Sequence, residues 1–247
     1  MPISEKLLNT VKEFGSKELH ALVIGDVMLD RYLIGNVGRI SPEAPVPVVL
    51  LNEKNERAGG AANVAANLAL LGIKTHIIGC VGNDTEGDSL KKLIAAIGVG
   101  TSEIINTKHR PTIAKTRILG GHQQMLRLDQ ESSAAFNDEE TKQVLASITA
   151  GLALKPSIVI LSDYAKGLLS DTVCQHIISA CQTQNISVLV DPKGKDYTKY
   201  KGATALTPNK KETAEACEMQ LDDTDLISKA IALKESLSLD FLAVTRG

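Results

Sequence analysis

An α/β fold is what this sequence predicts, with a mostly parallel sheet covered by helices and a second, small β-sheet. Three observations carry the prediction. Short β-branched runs alternate with amphipathic segments of helix length along most of the 247 residues, the pattern of βαβ units. Two stretches, Tyr32 to Lys54 and Thr112 to Asp129, break that alternation and are β-rich. The composition, 43% hydrophobic and 23% charged with 19 Gly and 8 Pro, is that of a globular chain rather than a disordered, collagen-like or coiled-coil one.

The elements follow in order. Ser4 to Phe14 reads as a helix and Leu19 to Gly25 as a buried strand. Tyr32 to Lys54 holds Pro42, Pro45 and Pro47 around an extended apolar run, Val46 to Leu51. Gly60 to Leu71 is rich in Ala and Leu and reads as a helix, Thr75 to Val81 as a strand and Glu86 to Ile97 as an amphipathic helix. Thr112 to Asp129 alternates about a Gly120-Gly121 turn, a hairpin pattern. Helix Asp138 to Ala150, strand Ser157 to Leu161, helix Asp171 to Thr183 and strand Ser187 to Val190 come next. A short strand at Ala203 to Leu206, helices Asn209 to Glu218 and Asp225 to Leu237, and strand Phe241 to Thr245 complete the chain. The β-rich stretches, about 32–54 and 112–129, are read together as one accessory sheet, either a lid or a dimer surface, with a pair of ordinary edge strands as the alternative. Residues 1–247 are taken as one domain.

Charge and composition narrow the function. With 27 Lys+Arg against 29 Asp+Glu the net charge is -2, so no nucleic-acid or charged-membrane partner is expected. Aromatic residues are 3% and Trp is absent, which disfavours base-stacking surfaces. No apolar run approaches the ~18 residues that span a bilayer, and Met1 to Lys17 lacks the apolar block of a signal peptide. The four cysteines, Cys80, Cys174, Cys181 and Cys217, form no CxxC pair. They read as free thiols in a reducing cytoplasm.

Familiar nucleotide and hydrolase strings fail. The nearest approach to a Walker A loop, Gly82 to Ser89, has Asp88 where the lysine belongs. No strand is followed by GxGxxG, and neither HExxH nor GxSxG occurs. What remains are polar strings placed after strands, where open parallel sheets bind ligands. Asp30, in Gly25-Asp26-Val27-Met28-Leu29-Asp30-Arg31, is a carboxylate able to accept ligand hydroxyls, or a turn and cap residue. Gly59 and Gly60 open a small-residue helix with Asn63 one turn in; close ligand approach and tight helix–sheet packing both account for them. Leu161 to Gly167 includes Asp163 and Lys166, and Asp191-Pro192-Lys193-Gly194 puts a cation at a strand end, where it suits a phosphate. Asn209 and Glu212, three apart in Thr207 to Glu212, share one helix face; a carboxylate there could orient a hydrated Mg²⁺, whereas Asn209 is equally an N-cap.

Together these strings resemble the ribokinase-like (PfkB) carbohydrate kinases, from about Leu19 to Gly247. Within them the chain is most similar to the heptose 7-phosphate kinase domain of the bifunctional lipopolysaccharide-core heptose enzymes. The more specific strings are Ile40-Ser41-Pro42-Glu43-Ala44-Pro45-Val46-Pro47-Val48 and Ser162-Asp163-Tyr164-Ala165-Lys166-Gly167. The resemblance implies a three-layer α/β/α body with a small β lid, and a phosphorylated sugar held between them. It puts Asp30, Gly59, Gly60 and Asn63 at the sugar hydroxyls, groups Asp163 with the substrate residues, and assigns Arg127 and Lys166 to the sugar's existing phosphate. Lys193, Asn209 and Glu212 would face ATP phosphates and Mg²⁺, Glu212 through water, and Thr245 and Gly247 begin a nucleotide-binding turn. The implied reaction moves the ATP γ-phosphate to the anomeric hydroxyl of D-glycero-β-D-manno-heptose 7-phosphate. A homodimer through the lid is implied as well.

One departure follows. The family's catalytic base lies in a Gly-Ala-Gly-Asp segment beyond the position of Gly247, and no Gly-x-Gly-Asp string occurs in this chain. The expectations are that the 247 residues by themselves turn over little or not at all, and that an apolar face or strand edge is left open. The alternatives are a non-catalytic sugar-phosphate-binding or split-protein subunit, and a kinase of this fold for another sugar.

Overall fold

The computed structural model describes residues 19–218 and 225–245. The expected helix at Ser4 to Phe14 and the residue Gly247 lie outside them.

The chain enters through β1 (His20–Gly25), whose six residues are all buried. It pairs in parallel with β4 (Lys74–Ile78) on one side and β9 (Ile158–Ser162) on the other. β10 (Ser187–Asp191), β11 (Ala205–Leu206) and β12 (Phe241–Leu242) extend the sheet, which runs β12-β11-β10-β9-β1-β4 with every pair parallel. Side chains alternate across a strand, so β1 feeds two cores. Leu22 and Ile24 join a cluster with Ile148, Val173 and Ile177, while Val23 joins one with Ala61, Ala65, Leu90 and Ile94. Helices α3 (Asp138–Ala153) and α4 (Asp171–Thr183) supply the first cluster. Helices α1 (Ala61–Leu70) and α2 (Thr85–Ala96) supply the second. That is the three-layer α/β/α arrangement.

The second sheet is larger than its sequence signal. β2 (Val27–Ile40) and β3 (Pro47–Gly60) form a hairpin of two 14-residue strands. β7 (Ile113–Gly120) and β8 (Gln123–Gln130) complete the order β3-β2-β7-β8. The expected segment 32–54 is thus the outer part of the first hairpin, whose strands run on into the body, whereas 112–129 spans nearly the whole of the second. Burial falls along β2 from fully buried Val27, Met28 and Leu29 to exposed residues at its far end. The base of the β2–β3 hairpin serves the core while its tip does not, and this is why the sequence showed only its outer part as distinct.

Other differences are local. The expected strand Thr75 to Val81 breaks at Gly79 into β4 and β5 (Cys80–Gly82), and β5 pairs with β6 (Ile105–Thr107) in a two-stranded sheet. The helix expected from Asn209 is α5 (Lys210–Ala216), with Asn209 as its N-cap. A last helix, α6 (Leu226–Ser236), packs near β12 with no residue fully buried. Leu226, Ile227, Ala230, Ile231, Leu242 and Val244 line an open apolar groove there, about 240 Å³ in volume. Phe241, on the edge strand β12, is exposed. The expected open apolar face is therefore present among the described residues.

The thiols of Cys80, Cys174 and Cys181 are free and buried. Burial raises the first two to about 12 and the third to about 11, as expected of unreactive core thiols. No helix among the described residues is long and apolar enough to cross a membrane.

Candidate active site

The site is assembled where the lid root meets the carboxyl ends of β1, β9 and β10. Asp26, between β1 and β2, is the knot. Its main-chain N–H donates to Ser162 O at 3.2 Å and its carbonyl accepts from Ala61 N at 3.0 Å. Its carboxylate accepts from the N–H groups of Tyr164 and Lys166 at 2.9 and 3.1 Å. One residue thus joins the lid, the start of α1 and the loop after β9. Burial, only partly offset by those N–H donors, raises its pKa above the ordinary value.

Asp30 does not sit at the end of a body strand, as its sequence context suggested, but four residues into β2. There it lies over Gly59: a Cβ added at Gly59 would overlap Asp30 Oδ2. Gly60, the N-cap of α1, has φ +58°, a left-handed conformation that favours glycine. Asn63 is exposed one turn into that helix. The structure therefore brings Asp30, Gly59 and Gly60 to one junction, with Asn63 on the helix that starts there. It also places there a residue that the sequence reading missed: Arg117 of β7, whose Nη1 donates to Asp30 Oδ1 at 2.5 Å. Arg117 packs against the ring of Tyr32 at 5.2 Å, and Arg57 against the same ring at 5.6 Å. The spacing Lys115-x-Arg117 within an alternating strand was the available signal.

Asp163 has an internal role. It is buried, and its carboxylate accepts from Lys199 Nζ at 2.6 Å, Tyr200 OH at 2.7 Å and Ala165 N at 2.6 Å. It holds the loop that carries Tyr164 and Lys166, and its oxygens do not face the junction free. Lys199 and Tyr200 were not foreseen, because they lie 36 and 37 residues away in sequence. Lys166 pairs with Glu131, just beyond β8, at 2.7 Å. Arg127 forks onto both oxygens of Asp129 at 2.8 and 2.9 Å.

A second cluster lies at the far strand ends. Asn209 Oδ1 accepts from Glu212 N at 2.9 Å, and Glu212 Oε2 accepts from Asn209 N at 3.0 Å, so the pair is a capping box. Glu212 Oε1 accepts from Lys193 Nζ at 2.9 Å, a contact that raises the lysine's pKa. Thr245 forms a parallel bridge with Asn209 and accepts from Lys210 N at 3.0 Å. Lys193, Asn209, Glu212 and Thr245 are thus one neighbourhood. Among the described residues no group of three or more His, Cys, Asp or Glu side chains is placed to ligate a metal. A single carboxylate suits a Mg²⁺ held through its waters rather than by direct protein ligands.

Tyr164, whose N–H donates to Asp26, has a raised pKa. Burial first, then the nearby carboxylates of Asp191 and Asp30, push its phenol upward, while Lys193 acts in the opposite direction. The half-buried phenol is thus within electrostatic reach of Asp30 at the lid root and of Asp191 and Lys193 at the strand end.

Comparison with known proteins agrees with this fold. The bifunctional protein HldE of Methylobacillus flagellatus is 59% identical over 245 residues, covering 98% of this chain and 50% of that protein. That of Magnetococcus marinus is 46% identical, covering 92% and 47%. The chain spans about half the length of these curated relatives. Phosphofructokinase-2 from Escherichia coli, in its tetrameric inhibited form, superposes with a TM-score of 0.70 at 20% identity over 94% of this chain and 74% of that one. Arabidopsis thaliana ribokinase, complexed with ribose and ATP, superposes with a TM-score of 0.62 at 20% identity, covering 92% and 71%. The fold agrees with that of these kinases, residues 19–247 match the pfkB family carbohydrate kinases, and the chain belongs to that family.

Proposed function

We propose that this chain binds D-glycero-β-D-manno-heptose 7-phosphate and ATP, and serves the transfer of the γ-phosphate to the sugar's anomeric hydroxyl, giving the 1,7-bisphosphate. The observation that carries the reading is the pair of polar clusters, Asp30 over Gly59 at the lid root and Lys193 with Glu212 and Asn209 at the strand ends, in a chain 59% identical to an HldE protein. In this reading Asp30 and Asn63 take sugar hydroxyls, and Gly59 and Gly60 let the sugar approach the backbone. Asp163 positions the loop on which Lys166 sits, and Lys166 and Arg127 attract the sugar's phosphate. Lys193 neutralises charge on the ATP phosphates. Asn209 and Thr245 shape the nucleotide side, with Gly247 beyond the described residues. Mg²⁺, when bound through water near Glu212, supplies further charge neutralisation. Catalysis of phosphoryl transfer rests on such positioning and charge.

The family's Gly-Ala-Gly-Asp base is not among the 247 residues, so binding is the property to test on this chain. A version extended through such a segment is the one expected to turn over. Calorimetry should show heptose 7-phosphate binding and ATP binding by the 247-residue chain, and the extended version should release ADP only when the heptose phosphate is present. An extended, folded version that consumes ATP with fructose 6-phosphate or ribose but not with heptose 7-phosphate would refute the substrate assignment.

The lid is proposed to join two copies. By strand register Leu33, Ile118, Leu126 and Leu128 share the face opposite Asp30, and Leu126 and Leu128 are half exposed. Paired apolar residues left open on a sheet face favour burial against a second copy.

A further inference from the structure

Two adjacent rungs of the lid sheet lie on the face that carries Asp30. In the first, Arg57, Asp30, Lys115 and Asp129 stand side by side across the four strands, and their charges alternate and cancel. In the second, Asn55, Tyr32, Arg117 and Arg127 stand side by side. Two guanidinium groups are therefore directly opposite each other on neighbouring antiparallel strands. Like charges so placed repel, and no carboxylate shares their rung. Each reaches back one rung instead, Arg117 to Asp30 and Arg127 to Asp129. Glu53, one rung further out, accepts from Asn55. The two rungs together hold two more cations than anions. A phosphate monoester carries close to two negative charges at neutral pH, and guanidinium forks match its oxygens.

We propose that Arg117 and Arg127 jointly bind a phosphate monoester already carried by the acceptor sugar, and that this draws Arg117 off Asp30 and frees that carboxylate for the sugar hydroxyls. The proposal rests on the sugar-kinase reading. It makes Arg117 a specificity-determining residue. A sugar with the phosphate supplies Arg117 with a new partner as it claims Asp30. A sugar without it must break the Arg117–Asp30 pair and leave a guanidinium that is only 23% exposed without an anion.

Calorimetry on the 247-residue chain tests this with three ligands: heptose 7-phosphate, the same heptose without phosphate, and inorganic phosphate. The wild type should prefer the phosphorylated sugar by roughly ten- to a hundredfold, the range that charge-assisted hydrogen bonds supply. Arg117→Met should collapse that preference from both sides: the phosphorylated sugar binds more weakly, and the unphosphorylated sugar binds more tightly because Asp30 is released. Arg117→Lys, which keeps a cation and serves if the Met variant fails to fold, should retain part of the preference. An unchanged preference in both variants overturns the proposal. Equal weakening of both sugars overturns the coupling to Asp30. Should the wild type bind inorganic phosphate through Arg117 but neither sugar, the sugar reading fails and the anion site stands. Should it bind the sugars but show no Arg117-dependent phosphate binding, the anion site fails and the sugar reading stands.

Discussion

Gly59→Ala isolates the contact on which the acceptor site depends. The backbone at Gly59 is not in the left-handed region, so alanine meets no conformational penalty there. What it meets is Asp30 Oδ2, which an added Cβ would overlap, with Met28 Cγ at 3.0 Å as a second, flexible neighbour. Asp30 must rotate away and give up its bond to Arg117. Both partners of that bond are about one-fifth exposed, so its loss costs about 0.5–1 kcal/mol. An off-rotamer carboxylate adds a similar amount, for a total of about 1–2 kcal/mol. The binding effect is larger. Losing a charge-assisted hydrogen bond to a sugar hydroxyl is worth roughly ten- to a hundredfold in affinity. Urea denaturation gives the first quantity and calorimetry with heptose 7-phosphate the second. The control is the same substitution in an Asp30→Ala background, where the obstruction is gone and Gly59→Ala should change stability by less than ~0.5 kcal/mol and affinity hardly at all. If Gly59→Ala costs as much without Asp30 as with it, the steric argument is wrong and the glycine serves the backbone instead.

Three further expectations follow from the same contacts. Asp163→Ala strips the acceptor from Lys199 and from Tyr200 OH, whose other acceptor, Lys193 O, is 3.5 Å away. The loss of stability should be about 3 kcal/mol, and about 1 kcal/mol of it should disappear in a Tyr200→Phe background, which removes the stranded hydroxyl; a strictly additive pair would show that the network is not shared. Asp84 caps α2 and accepts from Thr112 N and Oγ1 at 2.8 and 2.6 Å. Burial acts to raise its pKa, but the hydrogen bonds from Thr112 and Gly87 outweigh it and hold the carboxyl below the ordinary 3.8. The native state therefore binds fewer protons than the unfolded chain, and this contribution is complete above about pH 4 and fades as pH falls through the native pKa. Urea midpoints measured down to pH 3 should drop less steeply in Asp84→Asn than in the wild type; parallel slopes would contradict the assignment. Finally, Leu126→Glu with Leu128→Glu should shift a lid-mediated dimer to monomer in sedimentation while leaving the circular dichroism unchanged, and a dimer surviving the double charge would move the interface elsewhere.

The alternation of elements, the two β-rich insertions and the polar strings after strands were legible because each rests on local chemistry. Periodicity reports burial, prolines and glycines report turns, and short motifs report a family. Leu19 to Gly25 reads as a buried strand from its own residues, and His20–Gly25 is one. The Asn209 and Glu212 spacing was readable both as a cap and as a ligand-facing pair, and the structure shows the cap with Lys193 attached to it. Asp30, in contrast, looked like the end of a body strand, and its place inside the lid was invisible because β1 runs almost without a break into β2. Asp163 looked like a ligand for the sugar, yet Lys199 and Tyr200 reach it from more than 30 residues away. Arg117 carried only the spacing Lys115-x-Arg117 in an alternating strand, which names no partner. What the sequence determined by itself was which segments are strands, which are helices and which family they spell, since those follow from neighbours along the chain. Only the tertiary structure decided which charges meet, because the partner of a buried or half-buried ion is chosen by strand register and sheet order, and neither is written within any one segment.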